Sequence, residues 1–219
     1  MRGYPRPITV VTAPASNYDM TALATVKAEL NLVSTDANRD AVLARYITAC
    51  SQAIETYCNR VFAVETLTDS FYPQRDYLNY TLISDQDPLQ LSRSPIIAVA
   101  SVVENSVALT VNVDFQVDAI NSRLIRIDSN GYPRPWRALP IIVTYSTGFA
   151  TLPADVVDAC IDFVKFRYFA RMRDPSLKSE NVVGVYEASY LWGTGPGGPD
   201  DMPATVAGKI DRYRVPVIG

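Results

Sequence analysis

Few side chains in this sequence could do chemistry. Two acidic pairs, Asp85-Gln86-Asp87 and Asp200-Asp201, have the composition for divalent-metal binding or glycoside hydrolysis. Both sit in Pro- or Gly-flanked loops, where acidic side chains commonly serve turns, so neither is assigned a role. The run Gly193-Thr194-Gly195-Pro196-Gly197-Gly198 has the glycines of a phosphate loop, but it follows no strand and lacks a Gly-Lys-Ser/Thr ending. It reads as a linker. Cys50, Cys58 and Cys160 are odd in number, widely spaced and without a CxxC, which argues against a disulfide framework. They are expected as reduced, buried thiols in a cytosolic protein. The 219 residues include no histidine, so Ser-His-Asp and Cys-His pairs and His-ligated metals are excluded. No catalytic residue, metal site or cofactor is expected, and the chain does not read as an enzyme.

Composition bounds the rest. Hydrophobic residues make up 48% and charged residues 20%, as in folded globular chains. The net charge of −3 argues against affinity for bulk nucleic acid, which needs a basic surface to displace counterions. The first residues lack the apolar core of a signal peptide, and no run is long and apolar enough to span a membrane.

The spacing of apolar residues predicts the elements. Residues 1–18 carry Pro5, Pro7 and Pro14 without periodicity and read as an extended arm. Asp19 is placed to cap a helix from Met20, with Leu23, Val26 and Leu30 on one stripe. The Ser34-Thr35-Asp36 cluster offers a second N-cap. From there Leu43, Tyr46, Ile47, Cys50, Ile54, Tyr57, Cys58 and Val61 keep a 3.6-residue period over a long helix. After Phe62 the period becomes two. Strands are predicted at 65–71, 89–91, 96–103, 107–111, 115–117, 124–127 and 141–145, separated by Pro, Asn, Asp and Gly turns. Helical spacing returns at Thr151-Leu152-Pro153, where Thr151 or Leu152 precedes a proline suited to the first helical turn, with Val156, Val157, Cys160, Ile161 and Val164 as the buried stripe. The fold expected is α+β: a small antiparallel helical bundle with an inserted antiparallel β-sheet or sandwich and an extended C-terminal arm. The boundaries are an arm at 1–18, a helical core at 19–62 plus 151–190, a β insert at 63–150, and a flexible arm at 191–219 in which a short helix can form from Ala204 to Arg212.

Surface features suggest contacts with other proteins. Phe163, Phe166 and Phe169 widen the third helix's apolar face beyond one packing partner, as at a subunit interface. Lys165, Arg167, Arg171, Arg173 and Lys178 form the one concentration of basic charge, favourable to that helix's dipole and suited to an acidic partner or DNA phosphate. The end of the chain, including Tyr213, Val215, Val217 and Ile218, is apolar for a tail and reads as a docking peptide. Trp136, Tyr132, Tyr77 and Tyr80, in a chain with 13 tyrosines, also allow a carbohydrate- or receptor-binding β module.

Several segments carry a family pattern. Leu23-x-x-Val26-Lys27-x-x-Leu30 resembles the opening helix of the gp6-like head-tail connectors (adaptors) of tailed bacteriophages and of the related gene-transfer-agent adaptors. Tyr46-Ile47-x-x-Cys50-x-x-x-Ile54-Glu55-x-Tyr57-Cys58-Asn59-Arg60 resembles their second helix, and Arg93-Ser94-Pro95-Ile96 with Val99-x-x-Val102 a strand of their insert. Tyr145-x-x-Gly148-Phe149-x-x-Leu152-Pro153-x-x-Val156-x-x-Ala159 resembles the entry to the third helix. Glu180-x-x-x-Gly184-x-Tyr186-x-x-Ser189-Tyr190 and Ile210-Asp211-Arg212-Tyr213-Arg214 resemble the segments that follow it.

The resemblance implies a structural protein of the virion neck, assembled in the host cytoplasm. Such adaptors form a homo-oligomeric ring, typically a dodecamer, under the portal. The ring extends the channel through which DNA passes without specific binding, and it meets a stopper or tail-completion protein. Their C-terminal segment commonly reaches the portal, which assigns a portal-binding arm to Lys209, Ile210, Arg212, Tyr213, Arg214, Val215, Val217 and Ile218. The basic and aromatic residues of the third helix would then fall at the subunit interface.

Overall fold

The periodicity switches near residues 62 and 151 are also where the chain changes unit. The computed structural model describes residues 7–32, 36–72, 75–76, 79–80, 88–136, 140–171, 179–182, 186–189 and 202–216. One unit takes Met1–Ser16 and Phe62–Ala150, the other Asn17–Val61 and Thr151–Gly219. The architecture is α+β with antiparallel sheets.

The first unit holds β1 (Ile8–Ala13), β2 (Glu65–Phe71), β3 (Arg75–Asp76), β4 (Asn79–Tyr80), β5 (Leu89–Gln90), β6 (Ile96–Glu104), β7 (Val107–Leu109), β8 (Phe115–Asp118), β9 (Arg123–Arg126) and β10 (Ile141–Thr147). A five-stranded sheet runs in the order β1-β2-β10-β6-β7, and a three-stranded sheet in the order β5-β9-β8. β2 and β10 alternate buried with half-buried residues along their whole length, as period-two strands with one covered face must. Leu67, Phe71, Ile96, Val102, Ile141, Val143 and Tyr145 of the larger sheet form one core with Leu89, Phe115 and Leu124 of the smaller. Of the sheet or sandwich expected, two antiparallel sheets sharing one core are present. β6 and β7 are joined by Asn105 and Ser106, both with positive φ, the conformation a tight two-residue hairpin turn demands.

Residues 8–13 differ from the expected arm. They form β1, pairing Ile8 with Ser70 and Val11 with Leu67, and so belong to the β unit. The β-branched run Ile8-Thr9-Val10-Val11-Thr12 suits a pleated strand, and Pro7 and Pro14 fall just outside it.

The second unit holds α1 (Leu23–Glu29), α2 (Ala37–Cys58), α3 (Ala154–Ala170), the hairpin β11 (Ser179–Val182) and β12 (Tyr186–Ser189), and α4 (Ala204–Ile210) with a 3-10 turn over Asp211–Tyr213. Asp36 caps α2 as expected: its Oδ1 accepts the backbone N–H groups of Asn38 and Arg39 at 3.1 and 3.3 Å. Such a cap contributes about 1 kcal/mol. Asn59, left-handed at φ 47, ends the helix, and the Arg60 N–H closes on the Glu55 carbonyl. Leu43, Ile47, Cys50, Ile54 and Cys58 are all buried, on the predicted stripe.

Two predicted caps shift. α1 begins at Leu23 behind an uncapped Ala22, three residues after the expected start, because the Asp19 N–H is held by Asn17 Oδ1 at 3.0 Å in a local turn. α3 takes Pro153 as its N-cap residue instead of its first helical residue, with φ −59 and ψ 136. Its apolar side packs on α2, α1 and α4.

The largest correction concerns the tail. Residues 202–216 are folded onto α2 and α3, where a flexible arm was expected. Met202, Val206 and Ile210 recur every four residues and are all buried. That burial contributes about 1.5–3 kcal/mol per large side chain, enough to offset the ordering entropy of one short helix. Residues 190–201 and 217–219, including Val217 and Ile218, lie outside the described residues.

Candidate functional site

The C-terminal segment and α3 hold the residues expected to bind partners. Their geometry is an acidic helix face met by a basic tail. Lys209 Nζ donates to Asp162 Oδ2 at 2.5 Å, and the Tyr213 hydroxyl donates to Asp155 Oδ1 at 2.9 Å. The Arg212 guanidinium pairs with the same Asp155 carboxylate, donates to the Tyr213 hydroxyl and stacks on its ring. Residue numbers rise along the tail as they fall along α3, so the two helices run antiparallel.

The tail also meets the end of α2. Tyr57 donates its hydroxyl to Asp211 Oδ1 at 3.0 Å, and the Arg214 guanidinium lies 5.3 Å from the Tyr57 ring centre. Burial first, and then the hydrogen bond to Asp211, raise the Tyr57 phenol above its ordinary value. The Val215 N–H reaches the Cys58 carbonyl at 2.9 Å, satisfying one of the acceptors that α2 leaves open at its C-terminus.

Magnitudes decide what holds the tail. Lys209–Asp162 and Arg212–Asp155 are exposed pairs, worth about 0–1 kcal/mol each. The buried Met202, Val206 and Ile210 contribute more, and the charged pairs chiefly set direction and register.

The expected arm residues therefore divide. Ile210 is 0% exposed in the chain's own core and is not available as a docking residue. Lys209, Arg212 and Arg214 are exposed, and Tyr213 and Val215 are half-buried. On α3, Phe163 is buried under the Arg167 guanidinium at 4.8 Å, Phe166 is half-buried, and Phe169 is 49% exposed. Lys165 pairs with Glu29 at 2.9 Å, Arg171 is exposed, and Arg173 lies outside the described residues. Of the three phenylalanines, only Phe169 is presented as an interface residue would be.

Asp155 and Asp162 were not singled out in the sequence, and Tyr57 was read only as a position on the α2 stripe and in the family pattern. The signal was there: acidic residues seven apart share one helix face, complementary to Lys209 and Arg212 one turn apart.

Among the described residues no stacking surface is assembled. Trp136 is 4% exposed and part of the β core, beside Arg126, which is itself buried and paired with Glu104 at 3.2 Å. Tyr132 is exposed, whereas Tyr77 and the side chain of Tyr80 lie outside the described residues. The acidic pairs Asp85/Asp87 and Asp200/Asp201 and the run 193–198 also fall outside them. Among the described residues no cluster of acidic and cysteine side chains could hold a metal ion, and no helix is long and apolar enough to cross a membrane.

All three thiols are free and buried. Burial pushes Cys50 up to about 12, and Cys58 and Cys160 to about 11, from an ordinary 9.0. Each folded value is raised, so the stabilisation is full below 9.0 and is lost as pH climbs through about 11 to 12. A maleimide at pH 8 is expected to label none of the three in the native chain and all three in urea. Urea midpoints should fall between pH 9 and 11, and rapid native labelling would contradict the burial.

Comparisons place these features among known proteins. The family model for phage gp6-like head-tail connector protein matches residues 20–107, which span α1, α2 and the strands from β2 to the first residue of β7. A search of curated proteins finds no match. A chain from the neck of an empty GTA particle, computed with C6 symmetry, superposes with a TM-score of 0.53 at 18% identity, over 97% of this chain and 98% of that one. A chain from the virion of a native gene transfer agent (GTA) particle gives the same values: TM-score 0.53, 18% identity, and 97% and 98% coverage. At that identity the likeness is one of fold. Over residues 20–107 the chain is identified as similar to the gp6-like head-tail connectors, and over nearly its whole length it shares its fold with chains of GTA particles.

Proposed function

We propose that this protein is a structural head-tail adaptor in the neck of a phage or phage-like particle, not an enzyme. One observation carries the reading: the connector match over residues 20–107 coincides with a fold shared, over 97% of the chain, with a chain from a GTA neck. Copies form a ring under the portal, and a ring in a multiple of six suits a neck computed with C6 symmetry. The ring extends the DNA channel and meets the stopper or tail-completion protein. A net charge of −3 suits a conduit through which DNA slides without sticking. The portal interface falls to the exposed Lys209, Arg212 and Arg214 with Tyr213, Val215, Val217 and Ile218, while Ile210 is buried against the helices and takes no part in it. Exposed Phe169 and Arg171 face a neighbouring copy.

The test is deletion of the chain from a particle-producing system. Full heads without attached tails, restored by supplying the chain, are the expected result. Tailed, infective or transfer-competent particles without it would refute the adaptor reading.

A further inference from the structure

The connection between α3 and α4 is far longer than the packing it serves. Lys209 faces Asp162 and Arg212 faces Asp155, so α4 runs antiparallel to α3. Continued at 1.5 Å per residue, that register brings the start of α4 level with the last turn of α3. Antiparallel helices with ends this near are ordinarily joined by about 2–8 residues. Here Arg171 and Met202 are separated by residues 172–201, which is 201 − 171 = 30 residues.

Part of that length is taken up by the β11–β12 hairpin, whose ends Ser179 and Ser189 are paired. Residues 172–178 and 190–201 remain, 7 + 12 = 19 in all, and include Gly193-Thr194-Gly195-Pro196-Gly197-Gly198-Pro199. Their full reach is about 65 Å. A neighbouring small domain is about 30 Å away, centre to centre, in a closed ring.

We infer that in the assembled ring α4 of each copy, carrying Met202, Val206 and Ile210, seats on the α2/α3 surface of the next copy, exchanged for that copy's own α4. The inference rests on the ring reading above. The exchange breaks interactions within one chain and re-forms the same ones between two: Ile210 in the same pocket, Lys209 on Asp162, Arg212 and Tyr213 on Asp155, and Val215 N–H on the Cys58 carbonyl. It therefore changes the interaction energy little, as in domain swapping generally. Effective concentration decides the outcome. For the free chain at micromolar levels, its own surface competes at about millimolar, and the closed form wins. In the ring the neighbour's surface is held at a comparable effective concentration, and exchange ties each copy to the next.

The test uses two exposed positions that touch. Asp162→Cys and Lys209→Cys are prepared singly and together, with a bismaleimide as the probe; the native thiols are buried. The double variant, dilute and free, should link within one chain. If it does not, the packing of α4 on α3 itself fails and the inference falls. Particles are then assembled from an equal mixture of the two single variants. A covalent dimer of one D162C chain and one K209C chain, reaching up to about half of the copies, supports exchange. Chains present in the particle but unlinked would overturn it. The unsubstituted chain is assembled alongside, and its absence from particles would instead refute the neck reading.

Discussion

Gly148→Ala is expected to destabilise the β unit by about 3–5 kcal/mol, read as a fall in the urea midpoint with an unchanged slope. Gly148 has φ +111, and a Cβ there would lie 2.3 Å from the Ala63 carbonyl oxygen. The obstacle is backbone, so no side-chain rotation relieves it. The collision also strains the hydrogen bonds on either side, Gly148 N–H to the Pro95 carbonyl and Phe149 N–H to the Phe62 carbonyl. These bonds seat the exit of the β unit beside its entry. Gly131 separates collision from conformation: its φ is +82, but nothing lies within 4 Å of an added Cβ. Gly131→Ala should therefore cost only the left-handed backbone penalty, about 1–2 kcal/mol. Equal losses at the two glycines would show that the close approach to Ala63 is unimportant.

The second large effect is expected at Asp69. Its side chain is 0% exposed yet accepts four hydrogen bonds: Thr9 Oγ1 at 2.7 Å, Ser92 N–H at 2.8 Å, Ser92 Oγ at 2.9 Å and the Tyr145 hydroxyl at 3.0 Å. The Tyr145 phenol is pushed well above its ordinary value, by burial first and then by the Asp69 charge. Asp69→Ala leaves the buried Tyr145 hydroxyl, the Ser92 amide and the Ser92 and Thr9 hydroxyls without their acceptor, at about 3–5 kcal/mol. Asp69→Asn keeps one acceptor oxygen, and rotating hydroxyls can accept from its amide, but the Ser92 N–H cannot. An intermediate loss is expected. Because Thr9 lies on β1, amide exchange in residues 8–13 should rise most. A loss below about 1 kcal/mol for Asp69→Ala, or unchanged exchange in β1, would contradict this account.

How much of this was legible follows from where the information lies. The stripe on α2, the Asp36 cap and the periodicity switches at 62 and 151 are local patterns, and they stand in the fold as read. β1 was missed because its proper reading depends on β2, some sixty positions away, although a β-branched run bounded by two prolines was a fair clue. Asp69 was legible only as a position: alternation in β2 puts it on the face of Leu67 and Phe71, but the donors come from β1, β10 and the residue-92 turn. The tail was misread for a related reason. A four-residue apolar repeat does not say whose groove it fills, and here Met202, Val206 and Ile210 fill the chain's own. Trp136 shows the opposite error, since an aromatic beside prolines suits a platform as well as a core.

Pairing Ile8 with Ser70 also sets a timetable for synthesis. β1 leaves the ribosome before its partner, and β2 follows only after the whole of α1 and α2. At about 5–20 residues per second, its uncharged, β-branched edge waits several seconds for a partner, and β10 adds several more. The helical unit waits as well, because α3 and α4 come after the last strand of the larger sheet. Each unit is thus finished by residues made after the other has begun. Neither can be cut out as a contiguous fragment, and the early strand is open to pairing with its like until β2 is made.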